Sequence, residues 1–355
     1  MPFNIDVLRT RLEARERQIL STSAALSCES RGRLRAEAED PIRPAFQHDR
    51  DRIVHCKAFR RLKHKTQVFL APTGDHYRTR LTHTLEVSQI ARTISKALCL
   101  NEELTEAIAL GHDLGHSPFG HAGERVLKRL IPGGFNHYEQ SLRIVDVLEQ
   151  DGVGLNLTWE VRDGIAKHSK GKQGAPVGAD PAHRAATLEG QVARVADIIA
   201  YVNHDIDDAV RADILVPDRL PRKAIAVLGE TSSERIGRMV ADVVYQTSAR
   251  VELTEVAMSD DILQSTLDLR AFLFEAVYEN DAATAEFKKA YGILSGLWDK
   301  VCEEPERFLD RRTLERDGLD VAAKDFLAGM TDRFAIGLFE ELFVPRPWGW
   351  GSRSR

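Results

Sequence analysis

Apolar residues recur at helical spacing along most of this 355-residue chain. Between positions 80 and 98, one set of apolar residues follows the period of a helix: Leu81, Leu85, Ile90, Ile94 and Leu98. Similar stripes occupy much of the remaining sequence: about 51–62, 102–113, 137–149, 185–203, 232–246, 261–279, 284–301 and 319–342. Runs in which apolar and polar residues alternate are hard to find, so the pattern predicts an all-α fold.

Glycine and proline separate the predicted helices, most densely at 72–74, 131–134 and 171–181. The histidines and acidic residues that suggest chemistry lie in the first part of the chain, whereas 216–343 has the plain amphipathic pattern of packed helices. We therefore expect four segments: an N-terminal helical arm (1–50), a catalytic helical domain (51–215), an associated C-terminal helical domain (216–344) and a surface tail (345–355).

Composition and charge narrow the classes of function. A hydrophobic fraction of 43% with 29% charged residues is typical of a folded globular protein. The formal net charge of −5 argues against general nucleic-acid binding, although a local basic cluster could still hold a phosphorylated ligand. The four cysteines are scattered and form no C-x-x-C pair, which fits a reducing compartment. No apolar run approaches the roughly 20 residues of a membrane span, so we expect a cytoplasmic protein.

Histidines concentrate in one short region. Five of the 12 fall between positions 83 and 137, around the segment GHDLGHSPFGHAGE at 111–124. His112 and Asp113 are adjacent there, while His83 and Asp197 lie on separate predicted helices. Two imidazoles and two carboxylates from three helices would make a mixed nitrogen and oxygen site, which suits Mn²⁺, Fe²⁺, Co²⁺, Ni²⁺ or Mg²⁺. Such a site leaves positions open for water and a phosphate oxygen, as hydrolysis requires.

An HD pair by itself is a weak signal, because a lone histidine on an amphipathic helix usually packs or lies at the surface. The residues around the pair are the stronger observation, since five histidines and acidic residues fall within thirteen positions: His112, Asp113, His116, His121 and Glu124. This density favours a catalytic centre. A zinc peptidase is excluded because the sequence contains no H-E-x-x-H motif.

The order of these residues resembles the H…HD…D signature of the HD phosphohydrolases. Five longer segments resemble the dGTPase-like deoxynucleotide triphosphohydrolases: 46–69, 74–92, 111–124, 135–143 and 196–208. The resemblance runs from about residue 16 to 215 and fades into the C-terminal half. It implies an HD-domain helical core with an associated C-terminal helical domain. The implied reaction is metal-dependent hydrolysis of deoxynucleoside triphosphates (dNTPs) to a deoxynucleoside and inorganic triphosphate.

The reaction needs a proton for the leaving sugar oxygen. His121 is the candidate general acid, because an imidazole that titrates near neutrality can donate to a departing alkoxide. Glu124 lies three residues later, where it could orient a histidine and stabilise its protonated form. The resemblance adds His137 and His116 to this catalytic group. His168 resembles a family histidine near the pocket, with a catalytic and a structural role equally open.

Substrate contacts follow from spacing and from the resemblance. Arg80 lies three residues before His83, so both point from one helical face, and a guanidinium there could clamp phosphate oxygens. The resemblance implies that Gln67 touches the deoxyribose. It also assigns two residues on the helix of Asp197 to the sugar: the ring of Tyr201 would pack where a 2′-hydroxyl would lie, and Asp205 would accept from the 3′-hydroxyl.

Other basic residues crowd the approach to this region: Arg60, Arg61, Lys63, Lys65 and Arg78. We expect solvated helix faces for these, with Arg61 partly buried, and solvated loop positions for Lys167, Lys170 and Lys172. The chain also departs from the family. Ile198 stands where some animal relatives carry a lysine after the metal aspartate, and FNHYEQS differs from the FEHNxQS of bacterial members.

Two alternative functions remain open from the sequence. One keeps the fold and changes the substrate to guanosine tetraphosphate, a cyclic dinucleotide or a nucleoside monophosphate. The other is a nucleotide sensor or single-strand nucleic-acid binder with little turnover, which intact metal ligands and the acidic charge disfavour. The resemblance also raises activation by dNTPs as a question. It implies a homo-oligomer, for which a hexamer is common among family members.

Overall fold

The computed structural model describes residues 7–67, 78–169, 176–178, 180–250, 253–278 and 281–345. Several expectations lie outside these residues, namely the break at 72–74, Lys170, Lys172, most of the loop 171–181 and the tail after 345. Within the described part, the expectation of an all-α fold is confirmed. Two isolated bridges, Arg33 with Thr158 and Thr66 with Thr79, are the β-type pairings found there.

Ten α-helices make up the described N-terminal part: α1 Leu8–Ile19, α2 Ala45–His55, α3 Lys57–Arg61, α4 Arg80–Ala97, α5 Glu102–Gly111, α6 Gly120–Leu130, α7 His137–Arg143, α8 Glu149–Gly152, α9 Trp159–Lys167 and α10 Leu188–Arg211. Eight follow: α11 Arg222–Leu228, α12 Ser232–Ser248, α13 Asp260–Leu273, α14 Asp281–Glu303, α15 Pro305–Phe308, α16 Arg311–Asp317, α17 Leu319–Gly329 and α18 Asp332–Phe343. Two π-helical segments continue α7 and α13: Ile144–Leu148 and Phe274–Tyr278.

Side-chain caps determine where the long helices begin. Thr79 and Thr82 form a capping box at the start of α4, and Asn101 accepts from two backbone N–H groups of α5. Thr187 caps the 24-residue α10 in the same way. Thr331 caps α18 and therefore divides the predicted stripe 319–342 into two helices. The apolar spacing continues across this break, which is why the sequence predicted one helix.

Three apolar clusters form the interior. The first joins α4 and α10 to α11, α12 and α13. The second lies among α2, α3, α5 and α9. The third packs α6 against α14, α17 and α18. The first and third clusters therefore contain residues from both sides of position 215, so the C-terminal helices contact the predicted catalytic domain at two places. The predicted segment boundaries themselves stay a prediction.

The N-terminal arm is less helical than expected. Between Ile19 and Ala45 the chain contains one short 3-10 turn, Ser27–Glu29, and otherwise follows an irregular path. It is held by side chains, since Glu160 accepts from Ser30 and from the backbone of Arg31. No helix among the described residues is long and apolar enough to cross a membrane.

Candidate metal centre and active site

The turn after α5 is tightly packed, and every residue from 111 to 120 is buried. Two glycines make this packing possible. A Cβ on Gly115 would lie 2.1 Å from the backbone nitrogen of Ser141, and one on Gly123 would lie 1.8 Å from the carbonyl oxygen of Pro118. The glycines of GHDLGHSPFGHAGE thus let the turn approach α7 and close on itself, which brings its histidines into one place.

The four predicted metal ligands come together at this turn. Nε2 of His83 lies 3.3 Å from Oδ1 of Asp197, and Nε2 of His112 lies 3.8 Å from the same oxygen. Oδ1 of Asp113 is 3.4 Å from Nε2 of His112. They are positioned by α4, the end of α5 and α10, which pack against one another in the core.

This donor set fits a divalent ion. Nδ1 of His112 donates to the carbonyl oxygen of Ala109 over 2.6 Å, so its Nε2 carries the lone pair. That Nε2 is buried and makes no hydrogen bond within the described part of the chain. Two ligands at about 2.1 Å from an octahedral ion lie about 3 Å apart, close to the separations seen here. Burial disfavours a charged His83, but Asp197 outweighs it and raises the pKa of His83.

Arg80 is the next feature of the site. Its guanidinium is almost fully buried and donates from Nη1 to Oδ2 of Asp113 over 2.7 Å. Its Nε and Nη2 atoms are buried without a hydrogen-bond partner among the described residues. A buried cation with unused donors carries a desolvation cost that an anionic ligand would offset. Two donor nitrogens of Arg80 thus have no partner in the described part of the chain. They lie beside the metal-type cluster, by which we mean His83, His112, Asp113 and Asp197.

A second group of side chains surrounds His137. Oε1 of Glu124 accepts from the backbone nitrogen of His137 at 3.1 Å and from its Nδ1 at 2.8 Å. Nε2 of His137 lies 3.1 Å from Nε2 of His168, whose Nδ1 donates to the carbonyl oxygen of Ile165. Since a carbonyl only accepts, His168 must accept at Nε2, and both ring nitrogens of His137 then donate.

The pKa values agree with this assignment. Burial disfavours a charged His137, but the carboxylate of Glu124 outweighs it and raises the pKa of His137. Burial and the neighbouring His112 lower the pKa of His168 to about 3, which keeps that ring neutral. His116 stacks on His137 with ring centroids 4.1 Å apart, and burial followed by Arg80 lowers its pKa.

His121 stands apart from this group. The structure places the hydrogen bonds of Glu124 on His137, not on His121, so only charge links Glu124 to His121. His121 is exposed, although its ring lies 5.2 Å from that of Tyr278. Desolvation there, followed by the charge of Arg80, lowers its pKa to about 4. His121 is therefore neutral at pH 7, against the expectation that it titrates near neutrality.

The two residues that the sequence assigned to the sugar, Tyr201 and Asp205, lie on α10, which also carries Asp197. Oδ2 of Asp205 accepts from the hydroxyl of Tyr278, and its Oδ1 is buried with no partner among the described residues. Burial raises the pKa of Asp205 to about 7, although the Tyr278 hydroxyl opposes this. The Tyr278 ring lies 5.2 Å from that of His121. Arg270 interacts with Tyr201 in the same region.

Sequence reasoning missed Arg270 and Tyr278. Both lie in a segment, 261–279, that has only an amphipathic pattern, and neither belongs to a motif. Gln67, by contrast, lies near the site as expected: it is buried, its Oε1 has no partner in the described residues, and its backbone oxygen would be 3.0 Å from a Cβ on Gly120.

Three expectations about basic residues are wrong. Lys65 is buried, not solvated: its Nζ donates to the carbonyl oxygens of His116 and Ala328, and burial lowers its pKa to about 7. Arg78 is largely covered and paired with Glu86 and Asp208. Lys167 is the last residue of α9, half-buried and paired with Asp163, so it does not lie at a solvated loop position. Arg60 and Lys63 are exposed and Arg61 is half-buried, as expected.

Comparison with known proteins gives the class of this fold and site. Residues 80–202 match the model of the HD domain, and residues 256–341 match that of the phosphohydrolase-associated domain. The first match begins at Arg80 and includes all four predicted metal ligands. HD domains bind divalent metals, and the His83, His112 and Asp197 group could hold one.

Curated relatives define the family more narrowly. A deoxyguanosinetriphosphate triphosphohydrolase-like protein of Caldanaerobacter subterraneus subsp. tengcongensis is 55% identical over 340 residues, covering 95% of this chain and 96% of the relative. Proteins of the same description from Desulfatibacillum aliphaticivorans and Clostridium perfringens are 51% and 48% identical, each over 96% of this chain and 99% and 98% of the relative. The chain therefore belongs to the deoxyguanosinetriphosphate triphosphohydrolase-like family of HD-domain hydrolases.

Proposed function

We propose that this chain hydrolyses dNTPs at the bond between the 5′-oxygen and the α-phosphate, releasing a deoxynucleoside and inorganic triphosphate. The observation that carries the proposal is Arg80, a buried cation with two donor nitrogens that have no partner in the described part of the chain, beside the metal-type cluster. Arg80 is also close enough to act electrostatically on His121 and on Asp205. We therefore propose that the phosphates of the substrate bind at Arg80, near both the proposed proton donor and the proposed sugar contact.

The proposed metal ligands are His83, His112, Asp113 and Asp197. A divalent ion held by them would supply Lewis acidity for activating water and for neutralising phosphate charge. Mn²⁺, Mg²⁺, Co²⁺, Fe²⁺ and Ni²⁺ all suit this donor set. Nδ1 of His112 is fixed by the carbonyl of Ala109, which keeps Nε2 directed at the site without the need for a ligand.

His121 is the proposed proton donor to the leaving 5′-oxygen. In the free protein its pKa is lowered, so it does not carry the proton in advance. The triphosphate brings several negative charges next to the ring, and a nearby negative charge raises the pKa of an imidazole. Substrate binding would therefore raise the pKa of His121, so that the ring takes up a proton from solvent before the leaving oxygen needs it. Such a device leaves His121 uncharged until the leaving group is in place.

The pair of Glu124 and His137 serves a different purpose in this proposal. His137 donates from both ring nitrogens and is held as a cation by Glu124, with neutral His168 behind it. Its positive charge, stacked on His116, adds to that of Arg80 in stabilising charge on the phosphate. This role would explain why a charged pair is kept in a largely covered position, since its desolvation is unfavourable unless the charge interacts with a ligand.

The sugar contacts complete the proposal. Oδ1 of Asp205, which has no partner among the described residues, could accept from a 3′-hydroxyl while Oδ2 stays bound to Tyr278. Tyr201 lies one helical turn before Asp205 on α10, where its ring could exclude a 2′-hydroxyl. Gln67, which lies in the segment between α3 and α4, would also contact the deoxyribose. A pocket closed in this way discriminates against ribonucleotides by shape.

The test is a panel of four dNTPs and four ribonucleoside triphosphates, singly and mixed, with Mg²⁺, Mn²⁺ or Co²⁺. The proposal requires inorganic triphosphate and deoxynucleoside in equal amounts from at least one dNTP, and little product from ribonucleotides. Orthophosphate or pyrophosphate as the first product, or hydrolysis of a different nucleotide, would point to another HD reaction. Tight binding without turnover under every metal would favour a sensor.

The same panel addresses regulation. Faster hydrolysis of one dNTP when a second is added would establish dNTP activation. Native mass spectrometry of the full chain tests the proposed homo-oligomer, including a hexamer. Single-stranded nucleic acid enters as a competitor, and the acidic net charge predicts no displacement of dNTP.

A further inference from the structure

Asp332, the first residue of α18, binds two backbone segments of the active site at once. Its Oδ1 accepts from the backbone nitrogen of Phe119 at 3.0 Å, and its Oδ2 accepts from that of Thr66 at 3.0 Å. The side chain is buried. Phe119 lies two residues before His121, and Thr66 precedes Gln67. One carboxylate from the last helix therefore ties together the segments that carry the proposed acid and a proposed sugar contact.

Lys65 makes the reciprocal connection. Its Nζ donates to the carbonyl oxygen of His116, which lies in the buried turn 111–120 after α5, called the catalytic turn below. The same Nζ donates to the carbonyl oxygen of Ala328 at the end of α17. The backbone oxygen of Lys65 accepts from the backbone nitrogen of Arg80 over 3.0 Å. The Lys65 side chain thus links α17 to the catalytic turn, while its backbone fixes the first residue of α4.

The segment held in this way is strained. Phe119 has a φ of 65°, a left-handed conformation that is unfavourable for a residue other than glycine. Its side chain packs into the apolar cluster formed with α14, α17 and α18. A turn that is unfavourable by itself stays in place only when its surroundings fix it. The contacts that fix this one come from the C-terminal helices.

We propose that Asp332 and Lys65 form a clasp through which the C-terminal helices position the catalytic turn, so that both are positioning residues for the hydrolysis. Their hydrogen bonds described above go to backbone atoms, and none of these belongs to a proposed metal ligand. The effect on turnover rests on the proposed function, whereas the effect on the turn does not. The structure also explains why the clasp uses charge: a carboxylate is the only side chain with two acceptors placed to hold two N–H groups.

The test is Asp332→Asn in the full chain. The amide keeps the volume but presents an NH₂ group to one of the two backbone N–H donors, so one side of the clasp opens. A displacement of reacting groups by about 1 Å can cost roughly a hundredfold in rate. We expect kcat/KM for the best dNTP to fall about ten- to a hundredfold. Metal content should not change, because its proposed ligands lie on other elements.

Asp317→Asn is the matched control. Asp317 also joins the C-terminal helices to the catalytic half, through Arg143 at 2.6 Å, but its contacts do not reach the catalytic turn. It should leave kcat/KM within about twofold of the wild type. Equal losses in the two variants would overturn the clasp in favour of a general stabilising contact. So would a folded Asp332→Asn protein with wild-type kcat/KM.

Hydrogen–deuterium exchange supplies a readout that needs no substrate. Peptides spanning 115–122 and 63–67 should exchange faster in Asp332→Asn than in Asp317→Asn, and unchanged exchange would overturn the proposal. Lys65→Met, which keeps the stem and removes the donors, should show the same selective change at 115–122. It stands in if Asp332→Asn does not fold, and normal exchange in it counts against the clasp. Wild-type protein that releases no triphosphate would refute the proposed function alone, since the exchange comparison would still decide the clasp.

Discussion

Replacing Glu124 by glutamine keeps the shape of the side chain that holds His137 and removes its charge. Oε1 of Glu124 accepts from the backbone nitrogen of His137 and from its Nδ1, at 3.1 and 2.8 Å. A glutamine oxygen can still accept one of these bonds. It cannot stabilise a positive ring, so the doubly protonated His137 loses its counter-ion while its contact with His168 remains.

The size of the effect follows from the hydrogen bond that changes character. A bond to a charged partner contributes about 1.5–3 kcal/mol, and one between neutral groups about 0.5–1.5. The difference is about 1–1.5 kcal/mol, and 1.36 kcal/mol corresponds to one pKa unit. Because Glu124 raises the pKa of His137, its loss should lower that pKa by about one unit. As pH rises, the variant should therefore lose the protonated form of His137, and any activity that depends on it, at a lower pH than the wild type does.

The assay is the pH dependence of kcat at saturating dNTP. In Glu124→Gln the alkaline limb should move to lower pH by about one unit, with metal content unchanged. Glu139→Gln is the control, since Glu139 is an exposed acid on the same helix as His137, and its limb should not move. An alkaline limb that coincides in wild type and Glu124→Gln would refute a catalytic role for protonated His137. Histidine NMR titration would show whether the His137 pKa moved at all.

Three further changes test the remaining parts of the site. His121→Ala should keep metal and nucleotide binding and lose about 10²–10⁴-fold in kcat; near-normal turnover of metal-loaded protein would assign the proton to another group. Asp197→Asn should lose metal and activity together, and normal metal content by elemental analysis would contradict the ligand set. Tyr278→Phe removes a donor that lowers the pKa of Asp205. The carboxyl should then be more protonated at pH 7, so KM should rise at neutral pH and recover as pH increases; a KM independent of pH would exclude this.

Most of the fold was predictable because helix periodicity and caps act locally. The stripe at 80–98 became α4, with Thr79 as its cap, as the spacing indicated. The stripe at 319–342 became two helices, since Thr331 can act either as an internal residue or as a cap, and periodicity does not distinguish the two. The π-helical segments that continue α7 and α13 could not be found from periodicity, because each is five residues long and lies at the end of its helix.

The candidate site was also only partly predictable from the sequence. His83, His112, Asp113 and Asp197 could be named because their residue types are rare together and their order is informative. The partner of Glu124 could not be named in this way. Its spacing of three residues from His121 pointed to that histidine, whereas the chain folds back after α6 and places His137 within hydrogen-bond distance. Contacts between residues distant in sequence depend on tertiary packing, which local spacing does not encode.

The C-terminal helices show this limit most clearly. Arg270, Tyr278 and Asp332 occupy polar positions in amphipathic stripes, and such positions normally face water. In the structure all three are largely covered by protein, and each contacts the catalytic half. Burying a polar or charged group is costly unless it is paired, so its partner explains its presence. Because Asp205 and the catalytic turn receive their partners from beyond residue 215, the HD core alone would lack groups that shape its own active site.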